Sequence, residues 1–152
     1  MNKKHMLHEK REFVNVRALI EWAGDFYKDR TAFSFRKAPR AEISKVSYPE
    51  FRDDVRALAT ELYSMGCANK HCILIGKNSY EWIICYYATL SIGAVLVPLD
   101  RDWGKEELLE TAKRADVSYL FVDSDIAEKG EFIEANTELC APAVYLGREE
   151  GS

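Results

Sequence analysis

The chain has 152 residues, of which 47% are hydrophobic and 30% charged, and a net charge of −4 at pH 7. That length suits one domain with a proper core, and the composition excludes a disordered or fibrous chain. The acidic balance excludes a general nucleic-acid binder, which needs a basic face to displace phosphate counterions.

Met1 to Arg11 is polar and charged with no apolar stretch, unlike a secretory signal. The four cysteines, Cys67, Cys72, Cys85 and Cys140, form no Cys-x-x-Cys pair and are too few for a disulfide framework. Both features point to a cytoplasmic, reduced setting. Residues 1–13 are expected to be a flexible arm. His5 and His8 share a helical face there without an acidic or cysteine partner.

Val16, Leu19, Ile20, Ala23, Phe26 and Tyr27 recur at helical spacing and predict an amphipathic helix of about 14 residues, capped by Asn15. Thr31–Phe35 and Glu42–Ser47 alternate apolar and polar residues, as a strand with one wet face does. The basic turn between them, Arg36 to Arg40, reads as a solvated hairpin loop. Ser47-Tyr-Pro-Glu50 has the form of a capping box, with Pro49 suited to the first helical turn. Phe51, Val55, Leu58, Ala59 and Leu62 form the buried stripe of that helix, and Gly66 closes it.

From here strands and helices alternate. Cys72–Gly76, Ala94–Leu99, Tyr119–Val122 and Ala143–Leu146 are continuous apolar runs, the pattern of strands covered on both faces of a parallel sheet. Helices are predicted over Ser79–Ile92 and Lys105–Ala115 and within Ile126–Ala135, with Asn78 and Glu81 as a cap pair for the first. The run from Trp82 to Leu99 carries no charge. Gly93 and Pro98 interrupt it, so it reads as a buried helix, a glycine stop and a strand, with a membrane span as the rival reading. The alternation predicts an α/β fold, a doubly wound and mainly parallel sheet with flanking helices, preceded by a helix and a β-hairpin. Without a repeat or a linker, residues 1–152 form one unit.

The sequence holds no Gly-x-Gly-x-x-Gly, Gly-x-x-x-x-Gly-Lys-Ser/Thr, Gly-x-Ser-x-Gly or His-Glu-x-x-His motif. Sheets of this kind bind ligands at the carboxyl ends of their strands. That position selects Lys77 and Asn78 after one strand and Asp100, Arg101 and Asp102 after the next. The same residues suit caps and turns. Cys67, His71 and Cys72 could contribute to a metal site, although buried cysteines are more often small hydrophobes. Asp53 and Asp54, like Glu106 and Glu107, are neighbours on helices, so each pair points apart onto a solvated face. Trp82, Tyr86 and Tyr87 read as core.

Three stretches together resemble the N-terminal part of AMP-forming acyl-CoA synthetases, within the adenylate-forming family. They are Val46-Ser-Tyr-Pro-Glu-Phe51 continuing through Ala59 to Gly66, Ile73-Leu-Ile-Gly-Lys-Asn78-Ser-Tyr-Glu-Trp82, and Leu90-Ser-Ile-Gly-Ala-Val-Leu-Val-Pro-Leu-Asp100 followed by Glu106-Glu107-Leu108. The resemblance covers roughly Val14 to Asp123. It implies a parent enzyme that uses ATP and Mg²⁺ to convert a carboxylic acid, in the long-chain branch a fatty acid, to an acyl-adenylate. Coenzyme A then takes the acyl group as a thioester. The family's Ser/Thr/Gly-rich phosphate loop and mobile C-terminal domain have no counterpart in these 152 residues. The resemblance therefore places no catalytic, cofactor-binding or metal residue here, and it implies a fragment inactive by itself. A stand-alone α/β binding module is the alternative. A sheet cut from a larger one is expected to expose an edge and self-associate.

Overall fold

The computed structural model describes residues 10–147. His5, His8 and most of the expected arm lie outside them. Helix α1 (Val16–Phe26) starts at Asn15, whose side chain accepts the Ala18 N–H at 2.8 Å. Its 11 residues are fewer than the periodicity suggests. The helix ends because Tyr27 is its C-cap and Lys28 turns to φ +51°, a left-handed conformation that cannot continue it. Strands β1 (Thr31–Arg36) and β2 (Ile43–Ser47) form the antiparallel hairpin.

Ser47 ends β2 and caps α2 (Tyr48–Ser64). Its hydroxyl accepts the Glu50 N–H at 3.3 Å, and Glu50 accepts the Ser47 N–H at 2.9 Å, the reciprocal box read from the sequence. After α2, Gly66 takes φ +91°, and a Cβ there would stand 3.1 Å from the Tyr119 hydroxyl. Position 66 thus needs glycine for backbone and space alike.

The rest is β3 (His71–Ile75), α3 (Tyr80–Ser91), β4 (Val95–Leu99), α4 (Lys105–Arg114), β5 (Tyr119–Asp123), a 3₁₀ turn (Ser124–Ile126), α5 (Ala127–Ala135) and β6 (Val144–Leu146). The four strands run parallel in the order β4-β3-β5-β6. Side chains alternate across the sheet and feed two cores. Cys72, Leu74, Tyr119 and Phe121 meet Phe51, Val55 and Leu62 of α2 and Cys85 and Ala88 of α3. Ile73, Ile75, Leu120 and Val122 meet Leu108 and Ala112 of α4 and Ile133 of α5. Fully burying one such aliphatic or aromatic side chain contributes about 1.5–3 kcal/mol, so both layers are stabilised by the same strands. The doubly wound α/β architecture follows.

Two local expectations need correction. Strand β4 is not covered on both sides. It is an edge strand, and Val95 is 48% exposed. Pro98 fits there, since an edge residue need not donate to a neighbour. The cap of α3 is Ser79, not Asn78: Ser79 has extended backbone (φ −133°, ψ 166°) and its hydroxyl accepts the Trp82 N–H at 3.1 Å. The uncharged run resolves into α3 from Trp82 onward, Gly93 at φ +73° and β4. Among the described residues no helix is long and apolar enough to cross a membrane.

Candidate functional site

The carboxyl ends of β3, β4 and β5 lie side by side because β3 pairs with both neighbours. Asp123, the last residue of β5, is 4% exposed. Its carboxylate accepts the Lys77 N–H at 2.8 Å, across the sheet, and the Arg101 guanidinium at 3.1 Å. Gly76 makes this approach possible, since a Cβ at that position would stand 2.6 Å from the Asp123 carboxylate. Arg101 reaches further to Asp125 at 2.9 Å, and the Lys77 ammonium lies 3.8 Å from the same carboxylate. Lys129 of α5 donates to the carbonyls of Arg101 and Trp103, at 2.7 and 2.9 Å, and clamps the β4–α4 loop from behind.

Charge pairing governs the electrostatics of this edge. The hydrogen bond from Arg101 holds the Asp125 carboxyl below its usual range, against a smaller opposing effect of burial. The same bond raises the Arg101 guanidinium. A cleft of about 610 Å³ opens beside the network, between Arg36 and Lys37 of the hairpin and Lys77, Ser79, Ser124 and Asp125 of the sheet edge. Its polar walls suit a small polar or anionic ligand. The carboxylates at its floor are already neutralised by Arg101 and Lys77, and the sequence has no glycine-rich phosphate loop. These residues therefore do not fit a magnesium–nucleotide centre.

Of the residues selected from the sequence, Lys77 and Arg101 meet at this edge through Asp123 and Asp125. Asn78 is exposed beside the cleft. Asp100 does not join them: its carboxylate accepts the Asp102 N–H at 2.9 Å and closes its own turn. Sequence reasoning missed Asp123, Asp125 and Lys129. Asp123 carried a usable signal, because it ends an apolar strand in the position Gly76–Lys77 and Asp100 occupy after theirs.

The other candidates have structural roles. Among the described residues no group of three or more His, Cys, Asp or Glu side chains could hold a metal ion. The His71 ring lies 2.6 Å from the Ala115 carbonyl. Asp53 pairs with Arg52 and Arg56, while Asp54 accepts the Tyr80 hydroxyl at 2.6 Å. Glu106 and Glu107 lie in the first turn of α4, where they complement the helix dipole. Trp82 stacks on Tyr86 at 5.3 Å, and both rings pack with Tyr87 against the α2–α3 core.

Comparison with known proteins matches this architecture. The family model described as AMP-binding enzyme matches residues 20–148. The medium-chain-fatty-acid–[acyl-carrier-protein] ligase JamA of Moorena producens (strain JHB) is 28% identical over 59% of the chain. YngI of Bacillus subtilis (strain 168), provisionally named an acyl-CoA synthetase, is 31% identical over 68%. The chain spans only 15% and 18% of the length of these two relatives. A solved structure from Rhodopseudomonas palustris CGA009, provisionally named a long-chain-fatty-acid CoA ligase, superposes with a TM-score of 0.78 at 18% identity, over 96% of this chain and 35% of that one. That likeness speaks for the fold, and the family match covers most of the sequence: the chain belongs to the AMP-binding, adenylate-forming enzymes.

Proposed function

We propose that residues 1–152 are the N-terminal scaffold of an ATP-dependent acyl-CoA synthetase acting on fatty acids, and that this stretch is inactive alone. The parent would be cytoplasmic and would use ATP, Mg²⁺ and coenzyme A. The family match carries the reading. The fatty-acid assignment draws support from the relatives' names.

The crevice supports the scaffold role. Activating a carboxylate with ATP needs donors that stabilise charge on the transferring phosphate. At this edge the cations Arg101 and Lys77 are held by Asp123 and Asp125 instead. Their work is to fix the β3–α3 and β4–α4 loops against the end of β5, as a frame on which other residues would place the reactants.

Isothermal titration of the chain with ATP and Mg²⁺ tests this. No binding at micromolar concentrations is expected. Micromolar affinity would overturn the scaffold reading.

A further inference from the structure

Helix α1 carries more apolar surface than its packing uses. Val16 and Ile20 turn into the core shared with α2 and α3. Leu19, Trp22 and Phe26 follow the spacing i, i+3, i+7 and form a second stripe beside the first. That stripe is open: Leu19 is 38% and Phe26 53% exposed, and Val14, just ahead of the helix, is 92% exposed. Its rings are ordered on one another. Phe26 stacks on Trp22 with centroids 4.6 Å apart, and Phe13 tilts against the same indole at 5.3 Å. A grouped apolar surface of this kind marks an interaction site more often than single exposed residues do.

The charge around the stripe is uneven. The two acids of α1 are engaged by α2, where Arg56 holds Glu21 and Arg52 holds Asp25. Glu12 lies 3.7 Å from Lys10. The Arg11 guanidinium lies over the Trp22 ring, 5.0 Å from its centroid, so a cation and the apolar stripe share one surface. Past the end of the helix, Lys28 and Arg30 line a shallow cleft of about 360 Å³ with Phe26 and Tyr27, and Asp29 is the one acid in it.

We propose that this face of α1 is a docking surface for an anionic lipid bilayer. Aromatic and aliphatic side chains enter the boundary between headgroups and acyl chains, while the cations beside them meet lipid phosphates. Charge decides the occupant. A second copy seated by two-fold symmetry would bring Arg11, Lys28 and Arg30 against their own counterparts, whereas an anionic headgroup layer complements them. The chain as a whole carries −4, so only a locally cationic face approaches such a layer. None of these residues lines the crevice at the carboxyl end of the sheet. The contact would hold the chain at a membrane whatever acid the parent activates.

Co-sedimentation of the chain with lipid vesicles tests this. Binding is expected to vesicles of phosphatidylcholine mixed with phosphatidylglycerol, weakening as salt rises, and little binding to phosphatidylcholine alone. Phe26→Ser lowers the partition coefficient about tenfold, the effect of withholding one aromatic side chain from apolar surroundings. Ile43→Ser, at an equally exposed apolar residue of β2, leaves it unchanged. Arg11→Glu weakens binding to the anionic vesicles and keeps the measurement available if Phe26→Ser fails to fold. Absence of binding to the anionic vesicles would overturn the proposal. So would an equal loss with Ile43→Ser, or a dimer in light scattering that Phe26→Ser abolishes.

Discussion

Replacing Asp123 with alanine tests the organisation of the crevice. The carboxylate is almost fully buried and accepts two hydrogen bonds, from the Lys77 N–H at 2.8 Å and from Arg101 at 3.1 Å. A hydrogen bond involving a charged group contributes about 1.5–3 kcal/mol, and a buried donor left without a partner costs about 1–3 kcal/mol. Arg101 keeps Asp125, so the substitution does not strand an unpaired charge. That limits the expected loss to about 3 kcal/mol, below the value for breaking an isolated buried pair. Asp123→Asn keeps an oxygen for the Lys77 N–H and removes only the charge facing Arg101, so about 1 kcal/mol is expected. Urea unfolding measures both, with the slope unchanged if only stability moves. A double-mutant cycle with Arg101→Gln isolates the Asp123–Arg101 coupling, expected at about 1 kcal/mol. An alanine variant within about 0.5 kcal/mol of the parent, the range of ordinary surface changes, would refute the reasoning.

Three further outcomes are expected. Ser79→Ala should cost about 1 kcal/mol in thermal unfolding while Asn78→Ala costs almost nothing, because only Ser79 caps α3. The bond from Arg101 holds the Asp125 carboxyl below its ordinary range, so this pair stabilises the fold above the ordinary carboxylate range and is lost as pH falls through the lowered value. Urea unfolding of the parent and Arg101→Gln should therefore converge between pH 6 and pH 3. Edge strand β6 is short and half-buried, and its outer backbone has no neighbour within the described sheet. Light scattering at rising concentration should show self-association, and a strictly monomeric species would count against it.

The elements were legible where local chemistry decides them. The Ser47–Glu50 box is a three-residue relation, and the turn at Gly66 is fixed by one residue's conformational freedom. The strands were legible because an uninterrupted apolar run such as Cys72–Ile75 has few other places to go. The same signal could not say which run lies at an edge, so β4 was read as covered. Asn78 and Ser79 are both good caps, and only the backbone angles at the start of α3 choose between them. The crevice was half legible. Position after a strand selected Lys77 and Arg101, but their partner Asp123 is 46 and 22 residues away, a pairing made by strand order.

Strand order also separates the two ends of this sheet chemically. At the carboxyl end, β3 stands between β4 and β5 and brings three loops together, and Arg101 and Lys77 there find Asp123 and Asp125 from another loop. Pairing of this kind fixes loop positions and leaves little free charge to act on a ligand, because a cation already held by two carboxylates has small residual affinity for a third. At the amino-terminal end, the same β3–β5 pairing sets Cys72 opposite Tyr119, whose hydroxyl donates to the Met65 carbonyl at 2.7 Å beside Gly66.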